Sequence, residues 1–280
     1  MTNDTPPGGT PAIELRGASK VFRTPSGAAH TAVRELDLTV GQGEFVAVVG
    51  PTGCGKSTTL TLVSGLEEPT EGEVLIGGRP VDGIHPQVGF VFQQDAVFPW
   101  RTVLSNVMAG PRFRGVPKAE ARKRARDWLH RVGLAAFADR YPHQLSGGQR
   151  KRVALAQTFV NDPAILLMDE PFSALDVQTR ALMSDELLEL WGGARDGRSR
   201  ASVVFVTHDL EEAIALADRV VVMTAGPATV KQVFPIALPR PRRVESVRLE
   251  ARFIEIYREI WSALGEEVRI TRERGASHVA

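Results

Sequence analysis

Gly50-Pro51-Thr52-Gly53-Cys54-Gly55-Lys56-Ser57 has the residue types and spacing of a loop that holds phosphate. Its glycines let successive backbone N–H groups converge on phosphate oxygens, and a helix opening at Ser57 and Thr58 would add its N-terminal partial charge. Lys56 would reach the outer phosphates, and the Ser57 hydroxyl could ligate magnesium. The context fits, because five apolar residues at 45–49 precede the loop and helix-patterned residues at 57–65 follow it. A second constellation lies further on, where the apolar run 164–168 ends in Asp169 and Glu170. Two acids often merely close a strand. Beside a phosphate loop, however, the pair can deliver one carboxylate to a metal and one to a nucleophile. Asp169 would hold magnesium through water, and Glu170 would polarise the attacking water. Cys54 sits inside the loop, where its backbone N–H matters more than its thiol. A reactive thiol would need a base beside it, and the sequence offers none, so a small residue in a tight turn is the favoured reading.

These residues must be positioned by a scaffold, and the hydrophobic pattern gives one. Val- and Ile-rich runs at 45–49, 88–92, 164–168, 202–206 and 219–223 read as buried strands. Helical patterns occupy 57–65, 118–132, 148–160 and 179–191, and strands alternating with helices imply a mostly parallel α/β sheet. Residues 98–140 carry little strand pattern and read as a helical lobe inserted between two core strands. Beyond the Pro- and Arg-rich residues 239–243, Leu249, Phe253, Ile256, Ile260 and Leu264 recur at helical spacing, predicting a closing amphipathic helix packed on this chain.

With 280 residues and 43% hydrophobic content, the chain can bury a sizeable core. Lys plus Arg total 34 against 33 Asp plus Glu, so the overall charge of +1 gives no reason to expect nucleic acid as a ligand. The basic stretch with Lys118, Arg122, Lys123, Arg124 and Arg126 reads as a solvated helix face. The single cysteine suits a reducing compartment. Residues 1–11 read as a disordered lead without the pattern of a secretory signal, and no run approaches the roughly 20 apolar residues that cross a bilayer.

Two further strings narrow the reading. Leu145-Ser146-Gly147-Gly148-Gln149 precedes the carboxylate pair, and Thr207-His208-Asp209 follows the strand ending at Val206. Together with the phosphate loop, this order resembles the nucleotide-binding subunits of ABC transporters, from about residue 13 to 223. The resemblance implies a P-loop NTPase (RecA-like) α/β core with an antiparallel β subdomain and an inserted α-helical subdomain. It places a lead at 1–11, an ATPase domain at 12–237 with its helical lobe at about 95–160, and a tail at 238–280. It implies ATP bound on residues 50–58 with Phe22 stacked on adenine, and magnesium on Ser57, Gln93 and Asp169. It further implies catalysis by Lys56, Gln93, Glu170 and His208. Ser146, Gly147, Gly148 and Gln149 resemble the signature that touches ATP held by a second copy, and Asp176 the residue that joins two sites across a homodimer.

The partners implied are transmembrane permease subunits and an extracytoplasmic solute-binding protein, with the chain peripheral on the cytoplasmic face of the membrane. Residues 92–101, 175–180 and 238–243 resemble ATPases of nitrate, sulfonate and taurine importers. Phe98 and Trp100 would then either hold the lobe in place or form a docking rim for the membrane subunit. An exporter or lipid-extraction ATPase would share every catalytic motif. A soluble ABC ATPase acting on ribosomes or DNA would need tandem units or a long coiled coil, and the sequence has neither.

Overall fold

The computed structural model describes residues 9–23, 27–193 and 200–277. The strings singled out in the sequence hang on a six-stranded sheet with the order β10 (Val230–Pro235), β9 (Arg219–Met223), β3 (Phe45–Val49), β8 (Ser202–Val206), β7 (Ile165–Asp169), β6 (Val88–Val91). All neighbours are parallel except the β9/β10 edge pair. Parallel strands must be buried on both faces, and the side chains divide accordingly. Phe45, Ala47 and Val49 face one core with Leu166, Met168, Val203 and Phe205. The intervening Val46 and Val48 face the other with Ile165, Leu167, Val204 and Val206.

The first core is closed by α5 (Val177–Gly192), α6 (Leu210–Leu216), α7 (Val244–Val247) and α8 (Ala251–Ser277), which contribute Trp191, Ile214, Val244 and Phe253. The second is closed by α1 (Lys56–Ser64) and by an antiparallel sheet of β1 (Ile13–Arg23), β2 (Ala29–Val40), β4 (Glu71–Ile76) and β5 (Arg79–Pro80), in the order β2-β1-β4-β5. Between β6 and β7 the chain leaves the sheet and forms α2 (Val103–Phe113), α3 (Lys118–Arg131) and α4 (Gly147–Phe159), which share a separate core around Val107, Leu129 and Val153. Phe253, Ile256, Ile260 and Leu264 of α8 are buried as the periodicity predicts. Leu249 is not: it precedes the helix and is 78% exposed. Its spacing matched the helix, but the chain is still turning there, with Leu249 N–H bonded to Ser246 O. Residues 1–8 of the expected lead lie outside the described residues. Among those described, no helix is long and apolar enough to cross a membrane.

Candidate functional site

Parallel strands end on the same edge of a sheet, and loops leaving that edge form its binding crevice. Here β3 delivers the phosphate loop, β6 delivers Gln93, β7 ends in Asp169 and Glu170, and β8 leads to Thr207 and His208. The register pairs Val48 with Val206, Asp169 with Val206 and Val91 with Met168, so the four exits are level. The loop itself is packed from behind. Gly55 has φ 121° and lies so close to Ala32 O that a Cβ there would stand 2.4 Å from it. A larger residue would therefore push the loop away from β2. Cys54 is buried, its thiol pushed up by that burial and opposed by nearby Lys56, so it acts as a small protonated packing group.

Lys56 begins α1, is only 6% exposed and donates from Nζ to Gly50 O and Pro51 O, both at 2.9 Å. Burial raises the Asp169 carboxyl above its ordinary range; the neighbouring Ser57 hydroxyl and Lys56 oppose that rise, and the Glu170 charge adds to it. Glu170 adopts φ 41°, a left-handed backbone uncommon for a non-glycine residue. That geometry is held by Glu170 N–H donating to Val206 O at 2.9 Å and by Ser173 N–H donating to Glu170 O at 3.2 Å. Its Oε2 lies 3.0 Å from His208 Nδ1 and 3.4 Å from Gln93 Nε2. An ionised carboxylate only accepts, so Nδ1 carries the proton of that bond.

These groups open onto a cleft of about 580 Å³ lined by Phe22, His30, Thr52, Gly53, Gly55, Lys56, Ser57, Thr58, Gln93, Glu170 and His208. Phe22 lies on β1 at its mouth, 37% exposed, with Lys20 Nζ 5.2 Å from the ring centroid. His30 was not foreseen. It faces Phe22 from β2, and long-range strand pairing of this kind leaves no local mark in the sequence. Lys151 was also missed. It is buried on α4, pairs with Asp95 at 2.9 Å and donates to Gln93 O at 3.2 Å, and so holds the loop that carries Gln93.

The remaining motif residues lie elsewhere. Ser146 caps α4: its Oγ accepts from Gln149 N–H at 3.2 Å, while Gln149 Oε1 accepts from Ser146 N–H at 2.9 Å. The Gln149 side chain is thus engaged in the cap. Gly147 and Gly148 form the first turn, a helix N-terminus fit for an anion. Asp176 caps α5 through Thr179 N–H and the Thr179 hydroxyl, bonds that hold its carboxyl below the ordinary range. None of these residues lines the cleft. One chain therefore presents a phosphate loop at one place and an anion-ready helix end at another.

Comparison with known proteins follows the same lines. A family model described as ABC transporter matches residues 33–173. An uncharacterized ABC transporter ATP-binding protein of Methanocaldococcus jannaschii is 44% identical over 91% of this chain and 92% of its own length. The bicarbonate transport ATP-binding protein CmpD of Synechocystis is 41% identical over 83% of this chain and 82% of its own. An ATP-binding cassette solved as a post-hydrolysis dimer bound to ADP and Pi superposes with a TM-score of 0.70 at 32% identity, over 81% of this chain and 100% of its own. The Clostridium perfringens protein cbiO1, part of the transporter complex cbiONQ, superposes with a TM-score of 0.69 at 25% identity, over 94% and 99%.

Proposed function

Given that the chain belongs to the ABC transporter family of ATP-binding proteins, an ATPase coupled to transport, we propose that it hydrolyses ATP at two sites in a homodimer and thereby drives import of a small solute. The observation that carries the chemistry is the Glu170 carboxylate, held by His208 and Gln93 at the edge of a cleft that Lys56 also lines. Phosphates rest on the N–H groups of residues 50–58, and adenine stacks on Phe22. Glu170 orients a water for attack on the γ-phosphorus; the bond to the β–γ bridging oxygen breaks, and ADP and phosphate result. The proton released by the water passes to Glu170 or to the phosphate. His208 contacts the γ-phosphate, and Lys56 stabilises charge on the transferring group.

Ser57, Asp169 and Gln93 would hold magnesium. Hydroxyl, carboxylate and amide oxygens are hard donors that suit this cation, and the Ser57 hydroxyl and Lys56 favour the ionised form of Asp169 that would face it. When bound, the ion supplies charge neutralisation on the phosphates. The signature, Ser146, Gly147, Gly148 and Gln149, completes the site of the second copy, with Asp176 at the seam.

The same reading assigns 12–237 to the ATPase domain, with its helical lobe at about 95–160, and 238–280 to the tail. Permease subunits bind the groove of about 220 Å³ lined by Phe90, Phe92, Phe98 and Phe113, with Trp100 at its rim. A solute-binding protein serves the other side of the membrane, and the chain is peripheral on the cytoplasmic face. The solute is nitrate, a sulfonate, taurine or a similar small solute; similarity to bicarbonate transport proteins supports import of a small solute. Deletion of the gene should abolish growth on, or uptake of, one such solute, and the Lys56→Ala gene should not restore it. Unimpaired uptake of all of them, with retention of an exported compound instead, would reverse the direction of transport.

A further inference from the structure

Behind His208 lies a buried polar cluster that the mechanism above leaves unused. Glu212 on α6 is 6% exposed, and its Oε2 accepts from Thr207 Oγ1 at 2.6 Å. Thr207 Oγ1 in turn accepts from Asp209 N–H at 3.0 Å, so the turn carrying His208 is bonded on both sides of that residue. Asp209 Oδ1 caps α6 through Glu211 N–H and Glu212 N–H. Its Oδ2 accepts from Arg180 at 2.8 Å, and Arg180 also donates to Leu175 O at 3.1 Å, next to Asp176. Arg180 therefore bridges the turn before α5 and the turn before α6. Its third nitrogen, Nε, is buried without an acceptor among the described residues, and Glu212 Oε1 is buried without a donor. The two lie 3.9 Å apart. A buried donor and a buried acceptor left unmatched face to face are costly, and a small approach of the two turns would join them.

We propose that Arg180 and Glu212 are positioning residues for hydrolysis, acting through Thr207 and Asp209 to set His208 against Glu170 and linking that setting to the turn at Leu175 and Asp176. The proposal rests on the dimer reading above, because in a dimer a second copy would press on that turn. Closing the gap between Nε and Oε1 would draw the Leu175 turn and the His208 turn together. Burial pushes the Glu212 carboxyl up to about 7, with Asp209 adding to the rise and Thr207, Arg180 and His208 opposing it. The acid thus changes charge easily, and closure onto Arg180 would favour its ionised form.

The test compares full-length Arg180→Ala, Arg180→Lys and Glu212→Gln, each purified and checked for a native circular-dichroism spectrum and a cooperative unfolding transition above the assay temperature. Glu212→Gln retains an acceptor for Thr207 but replaces the oxygen facing Arg180 or removes its charge. We expect ATP affinity within about twofold of wild type and turnover lowered about tenfold to a hundredfold, the scale of a misplaced catalytic group. Arg180→Lys should recover part of that loss. In a His208→Ala background the Arg180→Ala substitution should add no further loss, because the relay acts through His208. Losses that multiply in the double variant, normal turnover in both Arg180→Ala and Glu212→Gln, or affinity and turnover falling together would overturn the proposal. Normal turnover of His208→Ala alone would instead overturn the underlying assignment of His208, and the relay with it.

Discussion

In the proposed reaction Glu170 concentrates the chemistry in a single side chain whose backbone is held in a conformation that L-residues rarely adopt. Its contacts with His208 and Gln93 leave the carboxylate aimed by two neighbours, so removing its charge should spare binding and stop the reaction. Glu170→Gln should bind ATP normally, accumulate as an ATP-loaded dimer on gel filtration and lose turnover by about 10²-fold or more. Glu212 makes a separate prediction about stability. Its carboxyl is raised from 4.5 to about 7, so the folded chain holds that proton more tightly than the unfolded one. Its contribution is complete below the unfolded value and is lost as pH rises through the folded one. Relative to wild type, Glu212→Gln should therefore gain up to about 3 kcal/mol between about pH 5 and about pH 8 in chemical denaturation. The placement of Lys56, Asp169 and Glu170 at one edge of the sheet was legible, because each follows or ends an apolar run that the sequence marks as a strand. Glu212 and His30 were not, since each gains meaning only from residues brought close by folding.

At the scale of elements, the parallel sheet places four loops level on one edge, and α4 joins two tasks. Its N-terminus is the segment proposed to reach the second copy's ATP, and its Lys151 holds the loop that carries Gln93. The alternating Val- and Ile-rich runs made the strands of the parallel sheet legible from sequence. The antiparallel sheet was expected only through resemblance, because its strands are half-exposed and broken by register shifts, as in β1 between Arg16 and Ser19. Two tryptophans show how far residue type alone carries. Trp191 on α5 is 2% exposed, donates to Ala201 O at 2.7 Å and meets Phe45 edge-on at 5.3 Å. Trp100 is 72% exposed and packs beside Phe98, while buried Asn106 braces their segment through Phe98 and Arg101 carbonyls. Trp191→Ala should cost about 3–5 kcal/mol. Trp100→Ala should change stability by about 0.5 kcal/mol or less while weakening assembly with the membrane subunits, as read by thermal denaturation and co-purification.

For the whole molecule, the decisive feature is that the cleft and the signature are both formed in one chain and yet stand apart. Phe22, Lys56, Glu170 and His208 line the cleft, whereas Ser146, Gly147 and Gly148 do not. A second copy facing the first would bring each signature to the other's phosphates and build two sites from identical parts. Nucleotide would then hold the copies together, and its hydrolysis would release them, giving the membrane subunits an alternating push. The most direct measurement uses two inactive variants, Lys56→Ala, which damages the phosphate loop, and Ser146→Arg, which blocks the signature. Each alone should hydrolyse almost no ATP. When mixed, half of the dimers at random assortment combine one copy of each, and in those the undamaged loop of the Ser146→Arg copy meets the undamaged signature of the Lys56→Ala copy. The account predicts that ATP hydrolysis reappears in the mixture and rises with the fraction of mixed dimers. Complete absence of hydrolysis despite demonstrated mixed dimers, or full activity of the Ser146→Arg variant by itself, would contradict it.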